Sequence, residues 1–211
     1  MSRPRNFNSL PETPARSRVL TAATTLFTQR GYAAATVREI VEAAGVTKPI
    51  LYYYFGSKEG VYLEIVTTVF REFENLLDDS LHYQGSAWKR LLQLAHQTHS
   101  LFCARIHVAR LVQSVYYGPP QGAPFFDFDV YHDKFVKTVR CMVKQGIKSR
   151  EFRSGKPEYM TWAIIAAISL ANELVLAHPD DGLGHQGLTE VLKLIFRGIV
   201  TEKFEPRSKR R

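Results

Sequence analysis

The chain has 211 residues, of which 45% are apolar and 23% charged, a composition that supports a hydrophobic core and excludes a largely disordered protein. Lys and Arg total 28 against 20 Asp and Glu, so the formal net charge of +8 suits a polyanionic partner. The two cysteines, Cys103 and Cys141, form no CxxC pair, which favours a reducing cytoplasmic location over a disulfide framework. We expect no signal peptide and no membrane span, since the apolar run 160–170 is short and predicts a buried helix.

The N-terminal segment is predicted to be a flexible arm followed by a helix. Residues 1–14 place Arg3 and Arg5 among Pro, Asn and Ser, a polar composition without an apolar pattern. Apolar residues then recur at helical spacing from about Ala15, and Gly31 is the expected end of that helix.

Residues 36–54 have the pattern of two short helices joined by a glycine turn. Thr36 and Glu39 form a capping box that starts the first helix, and Gly45 ends it. Thr47 is a favourable N-cap for the second helix. These are the parts of a helix-turn-helix, whose second helix enters the major groove of DNA.

The remainder of the chain is also predicted to be helical. Ser57 caps a long helix that runs to about Asp79, and no later run alternates convincingly with the period of a strand. Further helical stretches are predicted at 86–116, 126–148, 157–177 and 188–204. Since about 30 residues is long for one globular helix, a break near 105–107 is considered. The predicted fold class is therefore all-α.

Several short sequences within 16–64 stand in a register that resembles the N-terminal domain of TetR-family (TetR/AcrR) repressors. They are Ala22-Ala23, Leu26-Phe27, Gly31-Tyr32, Thr36-Val37-Arg38-Glu39-Ile40, Ala43-Ala44-Gly45-Val46-Thr47-Lys48, Leu51-Tyr52-Tyr53-Tyr54-Phe55 and Ser57-Lys58-Glu59. The resemblance implies a three-helix helix-turn-helix DNA-binding domain followed by a helical ligand-binding and dimerisation domain. The expected bounds are 15–60 and 61–204, with a basic tail at 205–211.

The resemblance also implies that each chain reads one half of a palindromic operator in double-stranded DNA. Position by position, the implied contacts are Thr36, Thr47, Lys48, Ile50, Tyr52, Tyr53, Tyr54 and Lys58. Hydroxyls and ammonium groups suit phosphate, and Ile50 suits a thymine methyl. Pro49 and Tyr54 depart from the residues common in the family, which puts the detailed contacts in doubt.

Some of these positions have a structural alternative. Tyr54 is as readily a core aromatic, and Lys58 could be a solvated residue of a first turn. The Arg3/Arg5 arm could enter a minor groove or be a disordered basic tail. The tail that ends in Arg211 is better interpreted as solvated.

A homodimer through the last two long helices is a further implication of the resemblance. The first helix has an apolar side of Ile164, Ala167, Ile168, Ala171, Leu174 and Val175, and the second has Val191, Ile195, Ile199 and Phe204. The alternative is that both sides belong to the core of one chain.

An aromatic-rich stretch between Trp88 and Trp162 favours a pocket for a small apolar or aromatic effector, although such clusters are more often core. The candidate ligand-binding residues are His99, Phe102, Cys103, His107, Tyr116, Tyr117, Phe126, Tyr131 and Trp162. His96 with His99, Cys103 and His107 lines one helical side, but along one helix these residues spread over about 16 Å. We therefore predict no metal site and no cofactor.

Together these features predict a ligand-responsive transcriptional regulator, a repressor that an inducer releases from its operator. An enzyme is not expected, because no nucleophile elbow, P-loop or dinucleotide fingerprint occurs. The alternative function is a helical adaptor that binds protein instead of DNA. Activation instead of repression also stays open, because the sequence does not report where the operator lies.

Overall fold

The computed structural model describes residues 13–118, 122–178 and 180–197, and within these ranges it contains nine α-helices and no strand. The all-α prediction is thereby confirmed. The helices are α1 Pro14–Ala34, α2 Val37–Ala44, α3 Lys48–Phe55, α4 Lys58–Ser80, α5 Ala87–Ala104, α6 Ile106–Tyr116, α7 Phe128–Lys148, α8 Pro157–Ala177 and α9 Gly184–Arg197.

Most helix ends follow the local signals in the sequence. The Ser57 hydroxyl accepts from the Gly60 amide at 3.0 Å, as a cap of α4 should. Gly31 has φ 79° and ψ 162°, which are not helical, so the first helical run ends there as predicted, and the residues up to Ala34 follow a kink. The break considered at 105–107 is present, since Arg105 separates α5 from α6. By contrast, α9 begins at Gly184, four residues before the predicted start at 188.

The chain divides into two compact units. The first contains the described residues up to Glu72 and those from Arg105 to Phe128. Its core joins α1–α3 and the start of α4 through fully buried residues such as Phe27, Ile40, Leu51 and Tyr62, and it also includes Leu111 of α6. This unit therefore holds a helix that lies beyond the expected 15–60 boundary. Residues 1–12 of the predicted arm 1–14 lie outside the described residues, while Thr13 is the N-cap of α1 and Pro14 its first residue.

The second unit contains the end of α4 with α5, α7, α8 and α9. Its core includes Leu77, Leu94, Met142, Ile168 and Leu188, each no more than 1% exposed. Lys134 of α7 donates to Glu74 and Asp78 at 2.9 Å each, which ties α7 to the last turns of α4. The predicted basic tail at 205–211 lies outside the described residues.

Helix α8 is apolar on all sides. The side expected to face a partner is instead buried in the core of its own chain, as Ile164, Ala167, Ile168 and Ala171 show. Other large side chains are exposed, so the prediction of a buried helix at 160–170 is wrong for Trp162 (48% exposed) and Leu170 (55%). By length and composition α8 could cross a membrane, which is weak evidence because core helices of globular proteins meet the same test. The predicted partner-facing residues Ile199 and Phe204 lie outside the described residues.

Candidate DNA-binding site

Helices α2 and α3 are joined by a turn whose geometry requires glycine. Gly45 has φ 60° and ψ 40°, a left-handed conformation that a side chain disfavours. The Gly45 amide donates to the Glu42 carbonyl at 3.2 Å, and the Val46 amide donates to the Val41 carbonyl at 3.0 Å. The turn thus satisfies the carbonyls at the end of α2 and directs the chain into α3 at a fixed angle.

Helix α3 has one buried side and one exposed side. Leu51 and Phe55 are 0% and 3% exposed and anchor the helix in the core. Tyr52 and Tyr53 are 47% and 64% exposed, and Lys48 in the first turn is also exposed. Ile50 is half-buried. The outward side therefore carries an ammonium and two phenol groups, which are donors suited to phosphate oxygens.

The N-terminus of α3 is open to a ligand. Thr47 is the N-cap residue, but its hydroxyl makes no capping hydrogen bond, contrary to the prediction from its side chain. Pro49 lies in the first turn, where its missing N–H costs little. A free hydroxyl beside the positive end of a helix is a reasonable anion contact.

Thr36 occupies the predicted capping box. Its hydroxyl accepts from the Glu39 amide at 3.2 Å, and the Glu39 carboxylate accepts from the Thr36 amide at 2.9 Å. The Thr36 hydroxyl also donates to this carboxylate at 2.8 Å. The bonds to the carboxylate from the Thr36 amide and then from its hydroxyl hold the pKa of Glu39 below its usual value, and the guanidinium of Arg30 adds to the effect. The capping box is confirmed, whereas a phosphate contact by Thr36 stays a prediction.

Lys58 has partners inside the domain. Its ammonium donates to the carbonyls of Tyr32 and Ala35 at 2.9 Å each and lies 4.2 Å from the centroid of the Tyr32 ring. Burial lowers the pKa of this ammonium. Lys58 thus joins the end of α1 to the start of α4, and any DNA contact would be made in addition to these bonds.

Tyr54 also has a structural role. It is half-buried against the core, and its hydroxyl accepts from the Thr13 hydroxyl at 2.9 Å. Its ring packs edge-on against Tyr53 at 5.0 Å between centroids, which limits the rotamers available to the exposed Tyr53 ring. As a DNA contact Tyr54 stays a prediction.

Two ties that position α3 were missed by the sequence reasoning. Arg16 of α1 forms an ion pair with Glu64 of α4 and lies over the Phe55 ring, with its guanidinium carbon 5.7 Å from the ring centroid. Arg18 donates to the Ala44 carbonyl at 2.9 Å, at the end of α2. Their sequence separations of 48 and 26 residues leave no local signal that could have revealed them.

The nine candidate ligand-binding residues fall into both units. His107, Tyr116, Tyr117 and Phe126 belong to the first unit, where Tyr116 and Phe126 pack on Phe128. His99, Phe102, Cys103, Tyr131 and Trp162 belong to the second. None of them lines the hollow of about 710 Å³ that the second unit contains among its described residues.

The His/Cys side of α5 is divided by the helix break, which places His107 in the other unit. Within the second unit His96 contacts Thr189 at 2.8 Å and stacks on His185. His99, which is buried, lies 2.9 Å from the Asn172 carboxamide oxygen. The part of the chain that the structure describes contains no three His, Cys, Asp or Glu side chains placed to share a metal ion.

Comparison with known proteins identifies the first unit. Residues 19–65 match the model of the tetR family of bacterial regulatory proteins. The chain is 42% identical over 73 residues to the HTH-type transcriptional activator FasR of Mycolicibacterium smegmatis, a match that covers 35% of this chain and 32% of FasR. It thus spans about a third of the length of the curated relatives it matches first.

The fold is shared over a much longer part of the chain. The TetR-family regulator PfmR of Thermus thermophilus superposes with a TM-score of 0.70 at 21% identity, covering 87% of this chain and all of PfmR. The regulator FadR of Bacillus subtilis, solved in complex with stearoyl-CoA, gives 0.65 at 19% identity, covering 87% and 99%. The relatives are transcriptional regulators and not enzymes. Residues 19–65 thus match the tetR family of bacterial regulatory proteins, and the chain as a whole shares the fold of solved transcriptional regulators.

Proposed function

We propose that the protein is a transcriptional regulator that binds duplex DNA with α3 in the major groove. The observation that carries this proposal is the two-sided character of α3: Leu51 and Phe55 are buried, while Lys48, Tyr52 and Tyr53 face outward. Lys48 forms no ion pair with any carboxylate in the described part of the chain, so its charge is available to a phosphate.

The roles of the predicted contacts follow from their surroundings. Thr47, Lys48 and Ile50 lie in the first turns of α3, which is the part of a recognition helix that reaches base edges and adjacent phosphates. Tyr52 and Tyr53 donate to the phosphate backbone. Thr36, at the start of α2, donates to a phosphate only by giving up the bond from its hydroxyl to the Glu39 carboxylate. Tyr54 and Lys58 stabilise the DNA-binding unit through hydrogen bonds to its other residues. They contact DNA only through hydrogen-bonding positions that these internal bonds do not use.

The protein acts as a homodimer in this proposal. The support is the outward side of α8, where Trp162 and Leu170 leave about half of their surface exposed, together with Leu194 of α9 at 59%. Exposed apolar groups of this size mark an interface in a water-soluble protein. A two-fold dimer presents two recognition helices to half-sites about 34–36 Å apart, which accounts for a palindromic operator.

Regulation by a small molecule completes the proposal. FadR of Bacillus subtilis is described with stearoyl-CoA bound, and two further structures that share the fold are described as regulators of fatty acid metabolism or degradation. These descriptions support an effector with a long apolar chain. An inducer that binds the two dimer shapes with different affinity releases the repressor from DNA.

Selection of DNA sites from a random-sequence duplex library tests the proposal. The full chain should enrich a palindrome, and its affinity for that site should fall steeply with salt because phosphate contacts release counterions. A DNA-independent helical adaptor would enrich no sequence and would show no such salt dependence, and this result would overturn the proposal. Addition of an inducer should lower the affinity for the enriched site.

A further inference from the structure

The second unit contains a hollow of about 710 Å³ bounded by α5, α7, α8 and α9. This volume lies within the range of pockets for small molecules. Three aromatic rings form one wall: the Phe196 ring packs on Trp88 at 4.7 Å and on Phe152 at 4.8 Å between centroids. Met160 and Ile164 of α8 contribute further apolar surface. The wall of the hollow is therefore a continuous apolar surface of rings in contact with one another.

The position of the Phe152 ring is fixed by the main chain beneath it. The amide of Phe152 donates to the Gly146 carbonyl at 3.0 Å, which turns the chain back over the end of α7. A methyl group at Gly146 would lie 2.3 Å from the ring, so the ring reaches its place only because residue 146 has no side chain. The aromatic wall is therefore built into the fold at this point.

The rim of the hollow is positively charged. Arg153, Lys193 and Arg197 line it together with one carboxylate, that of Glu151. Glu151 accepts from the Ser149 hydroxyl at 3.0 Å, and Lys193 pairs with Glu190 at 2.8 Å. Arg153 and Arg197 are exposed and form no ion pair within residues 13–118, 122–178 and 180–197. Two guanidinium groups beside an apolar wall select a ligand that is apolar at one end and anionic at the other.

We propose that this hollow binds an amphipathic anion, with its apolar chain against Trp88, Phe152 and Phe196 and its carboxylate or phosphate on Arg153 and Arg197. The binding itself needs only the second unit; its regulatory meaning rests on the proposed function, for which the ligand is the effector. The candidate ligand residues predicted from the sequence are not part of this site.

The full chain with Trp162→Phe tests the proposal by fluorescence, because Trp88 is then the one tryptophan in the sequence. Dodecanoate and dodecyltrimethylammonium are the probes, since they share a tail and differ in the sign of the head group. Dodecanoate should bind saturably and at least about tenfold more tightly than the cation. Equal affinities, or no binding of dodecanoate, would overturn the proposal.

Variants separate the head-group contact from the tail contact. Arg153→Gln with Arg197→Gln should weaken dodecanoate binding at least about tenfold, whereas Lys148→Gln, an exposed cation outside the rim, should leave it unchanged. Ala163→Phe, which fills the hollow from α8, should abolish binding while the melting temperature is kept. If neither change affects binding, dodecanoate binds elsewhere and the assignment of this hollow is wrong.

DNA binding is measured on the unsubstituted chain without dodecanoate, because Trp162 belongs to the proposed dimer interface. If the chain binds dodecanoate but enriches no DNA site, the inference about the hollow is supported and the proposed function is overturned. If the chain enriches a palindrome but does not bind dodecanoate, the proposed function is supported and the inference about the hollow is overturned. If the hollow is instead covered by a second copy of the chain, Ala163→Phe will shift the dimer equilibrium and wild type will not bind dodecanoate, which also overturns the proposal.

Discussion

Helices α3 and α8 both expose large aromatic residues, but their surroundings differ. On α3, Tyr52 and Tyr53 lie near Lys48, which forms no ion pair with the described residues, and near Thr47, whose hydroxyl makes no capping hydrogen bond. On α8, Trp162 and Leu170 are exposed, and the helix contains no Lys or Arg between residues 157 and 177. Exposed aromatics with cations and hydroxyls suit a phosphate backbone, and exposed aromatics among aliphatics suit a second protein surface.

The comparison shows that exposure alone does not indicate which kind of partner a helix binds. What distinguishes Tyr52 of α3 from Trp162 of α8 is that a lysine, Lys48, lies one helical turn from Tyr52, whereas none lies within one turn of Trp162. Each of the following substitutions tests one side of that distinction.

The largest effect is expected from Leu170→Glu. Because a two-fold interface contains residue 170 of both chains, it would bury two carboxylates without partners. The dimerisation affinity should therefore fall about 100-fold. Sedimentation equilibrium measures the change. Leu81→Glu replaces another exposed leucine, away from α8, and should leave the dimer intact. Equal behaviour of the two variants would refute the assignment of α8 as the interface.

Lys48→Ala should weaken DNA binding about tenfold at moderate salt and reduce the slope of log affinity against log salt by about 1. The reason is the loss of one phosphate contact from the first turn of α3. Fluorescence anisotropy with the selected palindrome measures both quantities. Lys144→Ala removes an exposed cation from α7 and serves as the control. An unchanged salt slope in Lys48→Ala would show that this ammonium does not contact DNA.

Thr36→Ala should destabilise α2 by about 1 kcal/mol, because it removes the cap of that helix. Hydrogen exchange of the amides in residues 37–44 reports the loss locally. The pKa of Glu39 is held low in the folded state, so its contribution is present above the usual value of 4.5 and is lost as pH falls through the folded pKa. Thr25→Ala, in the middle of α1, should cause no comparable loss. Similar exchange in the two variants would count against the cap.

The smallest effect is expected from His96→Gln. Burial, with the neighbouring His185 and His99, lowers the pKa of His96 below 6.5. The unfolded chain therefore binds more protons just below pH 6.5, and stability falls as pH falls from about 6.5 to the folded pKa. Glutamine does not titrate, so the melting temperature of the variant should fall less between about pH 7.5 and about pH 5. His82→Gln, at an exposed position, should follow wild type, and a parallel fall in all three would exclude His96 as the cause.

The predictable part of the structure was the part with local causes. The capping box at Thr36, the turn at Gly45 and the cap at Ser57 depend on residues within a few positions of each other, and all three are confirmed. The exposed residues Lys48, Tyr52 and Tyr53 of α3 were among the contacts that the family resemblance implied, whereas Ile50 and Tyr54 from the same set are half-buried.

The remainder depends on contacts distant in sequence. Helix α8 is apolar on all sides, so periodicity alone could not show that Ile164 faces the core and Leu170 the outside. The hollow beside Phe152 is lined by residues from four helices that are distant in sequence. The contact between Gly146 and Phe152 is local, but it does not by itself indicate a hollow. Tyr54 and Lys58 were named from a pattern, but their bonds to Thr13, Tyr32 and Ala35 follow from packing.

The contacts of Lys58 make lysine and arginine unequal at this position. An ammonium is compact, and its donors diverge, so it reaches two carbonyl oxygens while it rests on the Tyr32 ring. A guanidinium carries the same charge on a larger planar group, with donors directed along fixed lines in one plane. A substitution that keeps the charge would therefore change the joint between the end of α1 and the start of α4. This position therefore requires the compact shape of the ammonium as well as its positive charge.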